Sequence, residues 1–448
     1  MHLSSPHNTS DKGVNSLHYS KKELTVLFSW LLWGDFAFVF FENVFGKLLP
    51  LFLKELQVSN FMIGMLSGST VGLVNVFFLP NISQWSDSFR GRWGRRIPFL
   101  FWATPLTALS VILVGYAPET GSWIHLHFVL PFFPKITVEN IIVGQLCLWV
   151  LAFNFFNMIL VNSFNWLVCD VVPPYIIARF LSWFRVIGTA STCLFMWYIF
   201  PYILTYRKEV CLGVGVFYTI AFWLMCLKVK EGEYPPVLSK GDNSGFLKSF
   251  GMYFKECLKE PIHRNFFIAN TMMSAATGSA GAFILLFSKE TLNLSMDDLG
   301  KAFAYGAVGS TILFFIVGWI CDKISPLLVS IFGVVAYAAT MLGAYFWIHG
   351  KTAWIVYSVL GTVPSVAWVI GSVTAGMRIF PREKYGQFSA GLNVFGCGGL
   401  IFFNFLSGKF MDLSESNYRL IFLWSFLFFV LAAFYLWKVY RDSLSLEV

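Results

Sequence analysis

Two carboxylates stand in the first long apolar stretch of the chain, Asp35 and Glu42, seven residues apart. On a helix that spacing places them on one face, with Asp35 roughly 17 Å from the helix start at 1.5 Å per residue. An ionisable group inside an apolar span is costly and faces a cavity or a partner. A carboxyl group that passes between dry and wet surroundings, or gains and loses a cationic neighbour, binds and releases a proton. Asp35 is therefore the first candidate for proton coupling and Glu42 the second; the alternative for Glu42 is a place near the outer mouth, paired with Lys47.

A second set is amidic. Asn154, Asn157, Asn162 and Asn165 fall within about 140° of arc on one helix, flanked by Trp149 and Trp166. Amides donate and accept, as hydroxyl groups do, and aromatic rings cover apolar C–H faces, so this face suits a sugar. The competing role is hydrogen bonding between helices, which membrane Asn commonly performs. Arg185 either pairs with Asp35 or binds an acidic substrate. Asn270, Trp368 and Asn393 are further substrate candidates from the second half of the chain, beside Thr271, Ser274, Ser372 and Asn404.

The third set is cationic. The stretch Ser86-Asp-Ser-Phe-Arg-Gly-Arg-Trp-Gly-Arg-Arg-Ile-Pro-Phe99 wedges Arg90, Arg92, Arg95 and Arg96 between two apolar spans. Gly91 and Gly94 keep the turn tight, and Asp87 can pair with an arginine or cap a helix N-terminus. The gating candidates are Asp87, Arg92, Arg95 and Arg96 here, Asp170 and Arg179 at a later turn, and Asp322 at a third.

The elements that must hold these groups are membrane helices. Hydrophobic residues make up 57% of the 448 and charged residues only 12%, against about 25% charged in a soluble domain. At about 20 apolar residues per span, twelve helices are predicted, at 24–48, 60–80, 97–117, 141–168, 180–204, 210–227, 266–288, 299–320, 327–348, 353–378, 388–410 and 418–440. The expected fold is thus all-α, with two six-helix bundles. Residues 1–23 form an N-terminal tail, 24–227 the first bundle, 228–265 a central loop, 266–440 the second bundle and 441–448 a C-terminal tail.

With both termini cytoplasmic, roughly two in three of the 32 Lys and Arg lie on the inner side, as the positive-inside rule requires. The net charge of +8 is that bias in sum and gives no reason to expect nucleic acid as a partner. No cleavable signal is expected, because residues 1–23 are polar and the first apolar stretch has full span length. The eight cysteines are scattered without a C-x-x-C pair and read as filler. His125 and His127 read as part of an interfacial turn with Trp123 and Phe128 rather than a metal site. In the central loop, Phe246 to Leu258 has the spacing of a short surface helix or of a solvated linker.

The halves echo each other. Pro173, Phe180 and Gly188 have the same spacing as Pro381, Phe388 and Gly396, and Gly318-Trp-Ile-Cys-Asp322-Lys323 is a reduced form of the Ser86-Asp87 turn. Duplicated six-helix units place a substrate site at the membrane midplane, reached by rocking.

On these turns the chain resembles the major facilitator superfamily. Ser86 to Phe99 is similar to the loop between helices 2 and 3 of the glycoside-pentoside-hexuronide cation symporters and the sucrose transporters. The resemblance implies twelve helices, a sugar or glycoside as substrate, and a lock on the cytoplasmic side of the first bundle when the carrier faces outward. That lock consists of Asp87 with the Arg cluster, and of Asp170 with Arg179 and Arg185. Three departures matter: Asn75 and Leu79 stand where melibiose-type symporters carry two acids, Asn165 stands where sucrose transporters carry an arginine, and Ser88 replaces the arginine after Asp87.

Nothing matches G-x-x-x-x-G-K-[ST], so the energy is expected from gradients rather than from ATP. The expectation is a monomeric proton-coupled sugar or glycoside symporter of the cell inner membrane, working by alternating access, with no metal and no cofactor. The alternatives are a carrier of another small polar or anionic solute, a non-transporting sensor, and a membrane-embedded enzyme, which needs a convergent acid, histidine or metal cluster.

Overall fold

The structure is a computed structural model and describes residues 20–173, 176–232, 258–380 and 385–444. The stretch expected as a surface helix, Phe246 to Leu258, lies outside these apart from Leu258, and so does Pro381. Twelve helical spans follow in chain order. They are α1 (Lys21–Glu55), α2 (Asn60–Gly64, Met65–Ser69 and Thr70–Ser88), α3 (Ile97–Gly115), α4 (Val138–Val171), α5 (Ile177–Leu194, Phe195–Ile199 and Phe200–Tyr202) and α6 (Arg207–Lys228). The second half holds α7 (Pro261–Gly278, Gly281–Leu286 and Phe287–Thr291), α8 (Met296–Lys323), α9 (Pro326–Trp347), α10 (Lys351–Leu360 and Thr362–Ile379), α11 (Tyr385–Leu413) and α12 (Leu420–Leu444).

Eleven of these are long and apolar enough to cross a membrane; α5 falls short because Arg179, Arg185, Ser191 and Thr192 interrupt its apolar run. Local chemistry sets many of the ends. Ser20 and Glu23 form a reciprocal capping box on α1, Ser59, Thr137 and Ser295 cap α2, α4 and α8, and Pro98, Pro261 and Pro326 occupy first-turn positions where a missing N–H costs nothing. Helices α1 and α4 extend beyond the expected spans, past the thickness an apolar run alone marks out. The segment after α3 is helical too (Ala117–Ile124, then His125–Val129). There, His125 and His127 bond the carbonyls of Ile136 and Trp123, and no metal-holding group occurs among the described residues.

The packing repeats. In the first bundle α1 packs on α5 and α6, α3 on α4 and α6, and α2 on α4; in the second, α7 packs on α11 and α12, α9 on α10 and α12, and α8 on α10. The matched glycines take matched neighbours: Gly188 of α5 faces Asp35 on α1, and Gly396 of α11 faces Ser274 on α7. Aromatic stacking fills the interior, as between Phe41 and Tyr218 at 4.3 Å. Trp102 and Trp437 stay exposed, as a lipid-facing surface allows, since lipid gives helices no hydrophobic reason to associate and small-residue packing does that work.

The bundles meet through α2 with α11 and α5 with α8. We call the side carrying the α2–α3 and α4–α5 turns the basic face, and the opposite side the far face. Gly64 and Gly408 bring α2 and α11 together near the far face: a Cβ on Gly64 would lie 2.7 Å from the Asn404 carbonyl oxygen, and one on Gly408 2.7 Å from that of Asn60.

Candidate solute-binding site

A cavity of about 330 Å³ opens inside the first bundle between α1, α2 and α4. Its polar lining is Glu42, Ser67, Asn75, Asn154, Asn157 and Asn162, set among apolar residues that include Phe45, Phe153 and Met158. Glu42 accepts a hydrogen bond from Asn157 Nδ2 at 3.4 Å, and Asn154 Nδ2 donates to Thr70 Oγ1 at 2.9 Å, tying α4 to α2. Ser67 lies in the π-helical segment Met65–Ser69, whose extra residue per turn re-aims the side chains of α2; such bulges recur at functional sites. Asn157 Oδ1 and Ser67 Oγ are buried without a hydrogen-bond partner.

Asp35 lies two turns below Glu42 on α1, 1% exposed, against α5. Its Oδ2 has no hydrogen-bond partner, and a Cβ on Gly188 would sit 3.4 Å from it. The charges whose fields reach Asp35 are those of Arg185 and Glu42. Arg185 is stacked over Phe314 of α8 at 5.8 Å instead of bonding the carboxylate. Lys47 does not pair with Glu42; its ammonium sits 4.5 Å from the centre of the Phe303 ring in the other bundle.

The remaining candidates are spread more widely. Asn165 is exposed further along α4, and Trp149 packs on the bundle core. Trp166 lies beneath the Arg96 guanidinium at 4.7 Å, which places it in the arginine cluster of the basic face and away from the cavity. In the second bundle Asn270 bonds the Phe266 carbonyl, Trp368 packs against the core and α9, and Asn393 is exposed on α11. That bundle has its own cavity of about 360 Å³ between α8, α9 and α10, lined by residues that include Phe303, Tyr337, Trp354, Tyr357, Ser358 and Thr362.

At the basic face, Asp170 at the end of α4 receives Arg95 at 2.8 Å and Arg96 at 3.4 Å, and Arg96 also donates to Ser86 Oγ at 2.6 Å. Glu231, just beyond α6, accepts the backbone N–H groups of Arg95, Arg96 and Ile97 at 2.8, 2.8 and 2.6 Å. These are orphan donors at the start of α3, where a carboxylate also meets the positive end of the helix dipole. Gly94 takes φ +105° there, with Glu231 in the space a Cβ would need. The side chains of Asp87, Arg179 and Asp322 lie outside the described residues, while Arg92 is exposed.

At the far face, Asp412 accepts the backbone N–H groups of Asn60 and Phe61 at 2.8 and 2.9 Å, and the Asn60 side chain bonds Ser416 and Tyr418. Trp197 and Tyr305 meet edge to face at 5.7 Å on the α5–α8 side. Sequence reasoning missed Glu231 and this far-face seal; the only sequence signals were an acid closing the Lys-Val-Lys-Glu run after α6, and the polar cluster after α11.

Two bundles with the same helix pairing, joined at one face and enclosing polar groups in an apolar interior, define a membrane transporter of the two-bundle type. The chain belongs to the Major Facilitator Superfamily, whose family model matches residues 31–403. Solved structures share the fold at low identity. A bacterial homologue of the human lysosomal transporter Spinster, inward-facing and unoccupied, matches at 13% identity and TM-score 0.71, over 95% of this chain and 99% of that one. An inward-facing bacterial homologue of the iron transporter ferroportin matches at 15% and 0.68, over 94% and 99%. The nucleoside transporter NupG matches at 14% and 0.67, over 93% and 99%. No curated protein matches the chain.

Proposed function

We propose that this transporter is a proton-coupled symporter of a sugar or glycoside, binding it in the α1–α2–α4 cavity and releasing it by alternating access. The observation that carries the reading is the ladder on α1. Asp35 lies buried beside the α5 backbone with an oxygen lacking a partner, and two turns above it Glu42 opens into a cavity of amides. A carboxyl group so placed exchanges its proton when rocking of the bundles changes its access to water, and the amides meet the hydroxyls of a solute. The cavity of about 330 Å³ sits at the small end of ligand pockets, about 300 to 1,000 Å³, which favours a monosaccharide-sized solute.

The basic face is read as cytoplasmic, with both termini on that side of the cell inner membrane, in keeping with the distribution of Lys and Arg. The contacts at the far face then close the outside, which corresponds to an inward-facing state. The Asp170 pairs with Arg95 and Arg96 hold α3 to α4 within the first bundle, and with Asp87, Arg179 and Asp322 they are assigned to the lock that engages on the cytoplasmic side when the carrier faces outward. The working unit is a monomer with bundles at 24–227 and 266–440. Uptake of radiolabelled sugars into proteoliposomes, with and without an imposed pH gradient, tests this reading. Accumulation that follows the gradient is expected; sugar uptake indifferent to pH removes the proton, and no sugar uptake removes the substrate class.

A further inference from the structure

The donors and acceptors around the α1–α2–α4 cavity are out of balance. Three of its four asparagines have one orientation that chemistry allows, and the fourth, Asn157, has one while Glu42 is ionised. Asn75 and Asn162 bond the backbone carbonyls of Val71 and Met158 at 2.9 and 2.7 Å, and a carbonyl only accepts, so the NH₂ ends point there. Asn154 bonds Thr70 Oγ1, whose own hydrogen is committed to the Leu66 carbonyl at 2.8 Å, so that contact also takes the NH₂ end. Asn157 gives its NH₂ to the Glu42 carboxylate.

All four amide oxygens are therefore turned away from those partners. That of Asn157 is buried and unsatisfied, as is Ser67 Oγ. Glu42 supplies the single formal charge of the lining, which holds no Lys, Arg or His. Phe45 and Phe153, stacked on each other at 3.6 Å, supply part of the apolar wall.

We propose that the preferred solute carries a protonated amine on a hydroxylated frame, as an amino sugar does. The inference rests on the reading of this cavity as the solute site. An ammonium brings donors and no acceptor, matching the oxygens of Glu42 and Asn157, and a charge-assisted bond is about twice as strong as a neutral one. The second N–H of each amide is left for the hydroxyl oxygens of the frame. An anionic solute meets Glu42 with no cation to offset it.

The test uses the full chain in proteoliposomes at neutral pH, with D-glucosamine, D-glucose, D-glucuronate and ethanolamine as probes of one uptake assay. Glucosamine is expected to have a half-saturation concentration about tenfold or more below that of glucose, with glucuronate excluded. Uptake of glucose equal to or better than that of glucosamine overturns the proposal and leaves sugar transport standing. Ethanolamine matching glucosamine keeps the amine and overturns the hydroxylated frame and the sugar reading with it; no uptake of any probe overturns both readings. Glu42→Gln is expected to reduce the glucosamine-to-glucose preference about tenfold or more, while Ser358→Ala in the second bundle leaves it unchanged. The wild-type comparison decides the matter even where the Glu42 variant does not fold.

Discussion

The two bundles enclose cavities of similar size, about 330 and 360 Å³, but line them differently. In the first, four amides, a serine and a carboxylate surround the space, with buried oxygens left unsatisfied. In the second, the hydroxyls are taken up by their own or a neighbouring helix. Ser310, Ser358 and Thr362 bond the carbonyls of Ala307, Trp354 and Val359, Tyr357 bonds the Met341 sulfur, and the remaining lining is largely aromatic and apolar. Duplication conserves the backbone pairing while the side chains diverge. The first bundle presents open hydrogen-bonding capacity, and the second mainly surface to pack against.

The strongest way to break this contrast is to remove the acid. Asp35→Asn is expected to abolish accumulation against a gradient while preserving exchange between equal solute pools, since exchange need not release the proton. A variant that still concentrates solute in response to a pH gradient passes the role to Glu42, and retention in a Glu42→Gln protein as well ends proton coupling through α1.

Next in size is the proposed lock at the basic face. Asp170→Asn removes the carboxylate that Arg95 and Arg96 share in a part-buried setting, and a charge-assisted contact there is worth about 1.5–3 kcal/mol. Initial transport rates are expected to fall about tenfold or more, and Asp87→Asn to act in the same direction. Solute binding, read by thermal stabilisation, should persist, because the lock lies away from the cavity. Loss of binding with normal turnover would contradict a gating role.

A paired substitution compares the cavities directly. Asn157→Ala is expected to raise the half-saturation concentration about tenfold and Ser358→Ala to change it by less than about twofold, since only the first removes free hydrogen-bonding capacity. Equal effects would make the solute site symmetric. The smallest effect belongs to the far face. Asn60→Ala removes the side-chain bonds to Ser416 and Tyr418, worth about 1 kcal/mol. Labelling of a cysteine placed at the far end of the cavity should rise about fivefold as the far-face-open state gains population; unchanged labelling would mean that these bonds do not hold the face shut.

Much of this was legible in the chain, because the membrane makes fold a local matter. Backbone groups in lipid must be satisfied within each helix, so span length and apolar composition specify eleven of the twelve spans, and α5 falls short of that measure. The recurrence of Phe180 and Gly188 as Phe388 and Gly396 marked the duplication, and the Arg cluster with Asp170 marked the basic-face turn, where charge is too costly to be incidental. Of the residues that helical spacing singled out, Glu42, Asn154, Asn157 and Asn162 line one cavity, whereas Asp35 lies against α5. Tertiary structure decided what each of these residues touches. It sent Trp166 to the guanidinium of Arg96, turned Arg185 onto Phe314, and carried Lys47 away from Glu42 to the ring of Phe303. It brought Glu231 to the start of α3 across about 135 residues, and closed the far face by joining Asn60 to Asp412, Ser416 and Tyr418. The physical reason is one of range: periodicity fixes which side of a helix a residue occupies, whereas its partner is fixed by how separate helices pack, and that is set by glycines and side-chain shapes hundreds of residues apart.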